Sequence, residues 1–306
     1  MEKTSHTVSD FLRAPAPAPY YAEEGGNLFQ GDCVQILRSF QDASMDLIFA
    51  DPPYSIGKAE WDTFGNQEEY LAFSVDWIRE ASRVLKQTGT LYICGFSEIL
   101  ADLHRPAMAY FYNCRWLVWH YKNKANLGND WGRSHESILC LRKSSRYTMN
   151  TDSVRVPYNA HTLKYPSHPQ AETSQYGNGR KGGNWEPNPL GAKPRDVIEI
   201  PTTCNGMGEK TPHPTQKPEE LLRKIVLASS NEGEIVLDPF VGSGTTAVCA
   251  KQLSRKFVGI DRNAEYLDWA VRRLRAVEKK PAQDWIAYDR SVAARSEGTQ
   301  QRTTVT

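Results

Sequence analysis

Glu234-Ile235-Val236-Leu237-Asp238-Pro239-Phe240-Val241-Gly242-Ser243-Gly244-Thr245-Thr246 is the stretch on which the fold turns. Its first residues are a short apolar run closed by an acid and a proline, the pattern of a buried strand. A loop with two glycines follows. Ala247, Ala250 and Leu253 then recur at helical spacing, and Lys256-Phe257-Val258-Gly259-Ile260-Asp261 is a second buried strand ending on an acid. Strand, glycine loop, helix, strand and acid make a βαβ nucleotide-binding unit. Gly242-Ser243-Gly244-Thr245-Thr246-Ala247 fits G-x-G-x-x-G/A, with Asp261 at the spacing of a ribose-binding acid. The expected fold class is α/β, a doubly wound and mostly parallel sheet. On these residues alone a dinucleotide-dependent dehydrogenase is a competing reading.

Two features argue against that competitor. Asp238 ends the strand directly before the loop, which would set a negative charge beside a pyrophosphate. A cationic sulfonium ligand carrying an α-amino group suits that charge better. The second feature lies upstream, where the apolar run Met45-Asp46-Leu47-Ile48-Phe49-Ala50 ends in Asp51-Pro52-Pro53-Tyr54. This reads as a buried strand stopped by a rigid turn. It presents a carboxylate, a proline carbonyl and an aromatic ring at a strand's C-terminal edge, where open parallel sheets bind ligands. An exocyclic amino group on a nucleobase is a poor nucleophile because its lone pair is delocalised into the ring. Asp51 and the Pro52 carbonyl can each accept one of its N–H bonds and so free the lone pair. Tyr54 can stack on the same base once it is swung out of its helix. The plain alternative is an edge strand followed by an ordinary proline turn.

Further outward the chain divides by composition. Residues 1–26, with Ala14-Pro15-Ala16-Pro17-Ala18-Pro19 and no apolar periodicity, read as a flexible tail. Asn27-Leu28-Phe29-Gln30-Gly31-Asp32 is a predicted strand whose acid either shares the ligand crevice or caps a helix. The polar segment from Ser55 to Phe64 is expected to be a mobile loop. Asn66 and Glu69 form a capping-box pattern before a long helix whose inner face is predicted to carry Leu71, Val75, Ile78, Ser82 and Leu85. Thr90–Cys94, Trp116–His120 and Ile138–Leu141 read as strands, the last near an edge. Residues 27–143 thus form one half of the domain, 144–212 an irregular insertion, 213–279 the other half, and 280–306 a second flexible tail.

The chain has 306 residues, 40% of them hydrophobic and 24% charged, which supports one large α/β domain with an insertion. No apolar stretch is long enough for a membrane span, and no signal-peptide pattern opens the chain. Cys33, Cys94, Cys114, Cys140, Cys204 and Cys249 form no C-x-x-C pair, and the histidines show no ligand spacing. No metal site is expected, and a reducing, cytoplasmic setting is the natural inference. Net charge is +1, yet Arg115 to Arg195 holds thirteen Lys and Arg against five Asp and Glu, leaving 24 against 31 elsewhere. A basic middle interleaved with aromatic residues on an acidic body suits a nucleic acid, with a solvated basic face as the alternative. Lys122, Lys124, Arg133, Arg180 and Lys181 are the candidate phosphate or base partners.

Asp51-Pro52-Pro53-Tyr54, His213-Pro214-Thr215-Gln216-Lys217-Pro218 and Asp238-Pro239-Phe240-Val241-Gly242-Ser243-Gly244-Thr245-Thr246 resemble, in this order, the motifs of the permuted (β-group) DNA amino-methyltransferases. The resemblance runs from about Asn27 to Leu274. It implies a permuted S-adenosylmethionine-dependent methyltransferase fold, with the insertion as target-recognition region. It implies Asp51, Pro52, Pro53 and Tyr54 as the catalytic residues. Asp238, Phe240, Gly242, Ser243, Gly244 and Thr245 would line the methionine end of the cofactor, with Thr215 and Lys217 near its carboxylate. Asp261 would hold the ribose and Asp32 the adenine edge. The implied activity is methylation of adenine N6 in double-stranded DNA. Cytosine N4, or a catalytically silent DNA-binding regulator, are the alternatives. A homodimer and a cognate restriction endonuclease are the partners such a family suggests.

Overall fold

The computed structural model describes residues 11–13, 15, 17–55, 62–121, 123, 129, 131–166, 168–169, 184–277, 281 and 283–287. The chain forms two compact units, residues 1–149 with 196–282, and residues 150–195 with 283–306.

The larger unit runs β1 (Tyr21–Glu23), β2 (Gly26–Gln30), α1 (Cys33–Arg38), β3 (Met45–Ala50), α2 (Gln67–Val84), β4 (Leu85–Gly95), α3 (Ser97–Ala107), β5 (Asn113–His120) and β6 (His135–Arg142). In the smaller unit lie α4 (Ala160–Lys164), β7 (His168–Pro169) and β8 (Asn184–Trp185). Returning to the larger unit, the chain adds β9 (Val197–Glu199), α5 (Glu219–Ser229), β10 (Ile235–Asp238), α6 (Thr245–Gln252), β11 (Lys256–Asp261) and α7 (Ala264–Arg275). Among the described residues one sheet has the order β1-β2-β11-β10-β3-β4-β6-β5-β9. Its centre, β2-β11-β10-β3-β4, is parallel throughout. Parallel strands covered by helices on both faces read as continuous apolar runs, and β3 is buried at every position.

The topology sets β3 beside β10, with Leu47 opposite Val236 and Ile48 opposite Leu237. Their C-terminal acids, Asp51 and Asp238, therefore emerge at one sheet edge although they are far apart in sequence. Buried Asp46 fixes this pairing at the other end. One oxygen accepts the Ile235 N–H at 2.9 Å and the other accepts Lys86 Nζ at 2.8 Å. A polar residue inside an apolar strand is tolerated because both oxygens are satisfied.

Four expectations need correction. Residues 11–26 are not a flexible tail throughout, since Phe11 is buried, with its ring edge-on to Phe40 at 4.9 Å. Arg13 N–H donates to Ser39 O at 2.7 Å, and Tyr21–Glu23 pairs antiparallel with β2. The inner face of α2 is turned by about one position from the predicted one: Tyr70, Ser74, Trp77, Ile78 and Ala81 are buried, while Leu71 and Val75 are half-buried. Aromatic size outweighs aliphatic count in choosing the buried stripe. The Ile138–Leu141 strand is not at an edge; β6 lies antiparallel between β4 and β5. Finally, the insertion is shorter than 144–212. From Asp196 onward the chain rejoins the larger unit, with β9 parallel to β5 and Trp119 Nε1 donating to Ile200 O at 2.8 Å.

The smaller unit is held by turns more than by a sheet. Asn159 caps α4 through the Thr162 N–H at 2.8 Å, and Val156 bridges Ala192. The Asn188 N–H reaches the Tyr158 hydroxyl oxygen at 2.7 Å. Residues 170–183, including the expected partners Arg180 and Lys181, lie outside the described residues, as do Lys122, Lys124 and residues 56–61.

Candidate active site

One pocket opens at the C-terminal edge of β3, β10 and β11. Asp51, Pro53, Phe240, Gly242 and Asp261 all line it, together with Thr215 and His213 from the segment ahead of α5. Gly242 holds φ +49°, and a Cβ there would stand 2.9 Å from His213 Nε2. Gly244, at φ +83°, is the N-cap of α6, and a Cβ would meet Ala270 at 2.6 Å. Only glycine permits this left-handed turn with such close neighbours. The resulting loop is braced by Arg273, which donates to Ser243 O at 2.9 Å and Thr245 Oγ1 at 3.0 Å while pairing with Glu219 at 2.9 Å.

Asp238 is turned into the protein. It is 4% exposed; one oxygen accepts the Phe240 N–H at 2.9 Å and the other accepts the Thr246 hydroxyl at 2.5 Å. Burial raises its pKa to about 7 despite those two donors. Asp261 lines the pocket while accepting the Gly242 N–H at 2.9 Å and the Asn263 N–H at 2.8 Å. Burial raises its pKa as well. Asp32 is the N-cap of α1, accepting the Gln35 N–H at 3.0 Å, and pairs with Arg262. Its neighbours Gly31 and Cys33 line the pocket, so Asp32 stands beside the crevice as a helix cap.

Around Asp51 the chain brings four further side chains together. Lys217 Nζ lies 2.6 Å from Asp51 Oδ2. The Tyr54 hydroxyl donates to Asp51 Oδ1 at 2.6 Å and lies 3.1 Å from Glu136 Oε2. That glutamate oxygen is also 3.4 Å from Lys217 Nζ and accepts the Cys94 thiol at 3.3 Å. Lys217 was expected beside a cofactor carboxylate; its ammonium instead meets Asp51 and Glu136. Asp51, Cys94 and Glu136 offer ligand atoms within 4.8 Å of one another. Lys217 supplies the positive charge among them, so the chain itself fills the place a cation would take.

The Tyr54 ring packs 4.9 Å from Phe96, and Arg133 lies over the outer face of Phe96 at 3.8 Å while pairing with Glu98 at 2.6 Å. Arg133 thus stands at the rim of the Asp51 cluster. The expectation of a mobile loop after Tyr54 is corrected at its described ends. Buried Asp62 accepts the Tyr54 N–H at 2.5 Å and the Ser55 N–H at 2.7 Å, holding Ser55 at φ +57°.

Sequence reasoning did not single out Glu136, Cys94, His213 or Tyr266 as site residues. His213 sits within a quoted motif, and its ring packs edge-on to Tyr266 at 4.4 Å. Burial, with Lys217 close by, lowers its pKa to about 4, so it is neutral near pH 7. Its Nδ1 accepts the Thr215 N–H at 3.3 Å, which leaves the ring proton on Nε2 beside Gly242.

An α/β sheet with a glycine turn and an Asp-Pro-Pro-Tyr carboxylate at one edge defines an enzyme of nucleotide-type cofactor and amino-group chemistry. A family model described as DNA methylase matches residues 45–272, and the chain belongs to that family. The type II methyltransferase M.HpaI of Haemophilus parainfluenzae is 35% identical over 253 residues, covering 81% of this chain and 73% of its own length. The DNA adenine methyltransferase YhdJ of Escherichia coli strain K12 is 34% identical over 269 residues, covering 86% and 87%. Among solved structures, the cytosine-N4-specific PvuII DNA methyltransferase shares the fold with a TM-score of 0.65 at 16% identity, over 90% of this chain and 96% of its own. A DNA modification methylase of Thermus thermophilus complexed with S-adenosyl-L-methionine gives a TM-score of 0.53 at 25% identity, over 82% and 93%.

Proposed function

We propose that this chain is a site-specific methyltransferase that moves a methyl group from S-adenosylmethionine to adenine N6 in double-stranded DNA, with the target base swung out of the helix. The observation that carries this reading is that Asp51 and Gly242, from the ends of adjacent strands, line one pocket. When bound, S-adenosylmethionine supplies a methyl group made electrophilic by its sulfonium. Phe240 and the Gly242–Gly244 turn suit its methionine end, with Thr215 beside them; Asp261 suits its ribose. Because Asp238 is satisfied internally, its part is to shape the turn.

Asp51 Oδ1 and the Pro52 carbonyl accept the two amino hydrogens, drawing the nitrogen toward a tetrahedral shape. The Tyr54 ring gives the base a stacking face, and Pro52-Pro53 keep the acceptors placed before the base arrives. The nitrogen lone pair forms the new N–C bond as the S–C bond breaks, and the amino proton leaves toward Asp51 or water. Extruding the base costs on the order of a few kcal/mol, which stacking and phosphate contacts offset. Arg133 at the rim and residues 150–195, with Arg180 and Lys181, are the proposed DNA contacts and target-recognition region.

Labelled methyl transfer to duplex DNA by wild type and Asp51→Ala tests the mechanism. The variant is expected to lose incorporation, and equal incorporation overturns the mechanism. Nucleoside digestion and mass analysis separate N6-methyladenine from N4-methylcytosine. The relative named as an adenine methyltransferase favours the first, while the cytosine-N4 structure is similar in fold alone. Failure to bind S-adenosylmethionine would favour a silent regulator. Among the described residues no helix is long and apolar enough to cross a membrane. A cytoplasmic setting, a homodimer and a cognate restriction endonuclease belong to the same proposal. Sedimentation of the purified chain checks the dimer.

A further inference from the structure

Neither oxygen of Asp51 is bare: Lys217 holds Oδ2 and the Tyr54 hydroxyl holds Oδ1. We propose that Lys217 and Glu136 are positioning residues for methyl transfer, Lys217 fixing the aim and charge of Asp51 and Glu136 fixing Lys217 in turn. This inference rests on the reading of the chain as an amino-methyltransferase and concerns the same site.

The argument begins with burial. The side chains of Lys217, Glu136 and Asp51 are 7%, 14% and 16% exposed. Two carboxylates this close to one another cannot both stay ionised in a water-poor crevice without a cation between them. A protonated carboxyl would meet an amino group with a hydrogen rather than a lone pair, so Asp51 must be an anion to accept. Lys217 Nζ reaches both carboxylates, at 2.6 and 3.4 Å, and is the cation that allows this. Other titratable groups face Asp51 from every side. They are Tyr54 after β3, Cys94 on β4, Tyr70 on α2 and Asp238 on β10. None of them is a cation.

The causes acting on Asp51 have opposite signs. Burial, the largest, raises its pKa and Glu136 adds to the rise, while Lys217 and Tyr54 oppose it. Burial also works against the charge on Lys217, but Asp51 and Glu136 override it and hold the ammonium charged. The geometry divides the carboxylate by task. When Tyr54 turns its ring to a base, its hydroxyl releases Oδ1 to the amino hydrogen. Oδ2 stays on Lys217, so the carboxylate does not rotate.

The test uses the full-length protein and duplex DNA, with Lys217→Met, Lys217→Arg and Glu136→Gln beside wild type. Cofactor affinity is read by calorimetry, and kcat and kcat/KM are followed across pH. Lys217→Met should lower kcat by about a hundredfold. Its cofactor Kd should stay within about twofold of wild type, and its acidic limb should move up by about one pH unit. Lys217→Arg should restore the limb toward its wild-type position. Glu136→Gln keeps the shape and removes a repelling charge, so its limb should move down. Opposite displacements in the two charge variants support the inference. Displacements of the same sign overturn it. So does an unmoved limb with cofactor affinity falling in step with kcat, which would return Lys217 to the cofactor. If circular dichroism shows Lys217→Met unfolded, the sign in Glu136→Gln decides alone. Absence of methyl transfer by wild type would instead overturn the functional reading itself.

Discussion

Tyr54 meets its surroundings through two separate parts, a ring packed near Phe96 and a hydroxyl held between Asp51 and Glu136. Tyr54→Phe keeps the stacking face and deletes only the hydroxyl, so kcat should fall about tenfold, the worth of one hydrogen bond of about 1.4 kcal/mol. Tyr54→Ala also removes the base's platform and should fall about tenfold further. Single-turnover methylation of one duplex by both variants checks the ranking. Residues at this scale differed in how readable they were. Asp51 and the Gly242–Gly244 turn could be found because their chemistry is written within a few consecutive positions. Glu136 could not. It is one acid in an alternating strand, and it gains meaning only when antiparallel pairing brings β6 beside β4. Lys217 was visible as a motif residue, but its partner depends on a contact with Asp51 that no local pattern encodes.

Elements were predicted well where one period ran long enough. The inner faces of α5, α6 and α7 carry the expected Leu221, Leu222, Ile225 and Val226, then Ala247, Ala250 and Leu253, then Leu267, Ala270, Val271 and Leu274. The Asn66 cap of α2 accepts the Glu69 N–H at 2.9 Å, as the capping-box pattern implies. The segment ahead of β1 was misread because its alternating alanines and prolines gave no period, and Phe11 stands alone before them. That ring is nonetheless part of the main core, between Phe29 and Phe40. Phe11→Ala should destabilise the protein by about 3 kcal/mol, the usual cost of a buried aromatic truncation. Urea denaturation should show a lower midpoint with an unchanged slope. A change of less than about 0.5 kcal/mol, typical of surface positions, would mean that the segment detaches in solution.

For the whole molecule, the α/β class and parallel centre followed from the βαβ unit, whereas the placement of β6 inside the sheet did not. A strand's neighbours are set by global packing, and periodicity reports only its faces. Asp238 leaves its mark on the stability of the entire domain. Its pKa rises from 3.8 to about 7 on folding, so the folded state holds its proton more tightly. The contribution is fully present below pH 3.8 and is lost as pH rises through about 7. Asp238→Asn removes that dependence. In cofactor-free protein, the Tm of the variant relative to wild type should therefore climb as pH rises from 4 toward 7. A constant difference across that range would mean that Asp238 is ionised in the folded protein throughout.

The pairing of β3 with β10 also governs how the protein is made. Translation delivers β3 early, but the strand that covers one of its flanks appears only after α5. At about 5–20 residues per second, the ribosome leaves that flank uncovered for on the order of ten seconds or more. Met45–Ala50 is apolar at every position but Asp46, and an unpaired edge of this kind invites pairing with another nascent chain. Holding two distant acids side by side thus makes the newborn polypeptide dependent on protection until its last third has emerged.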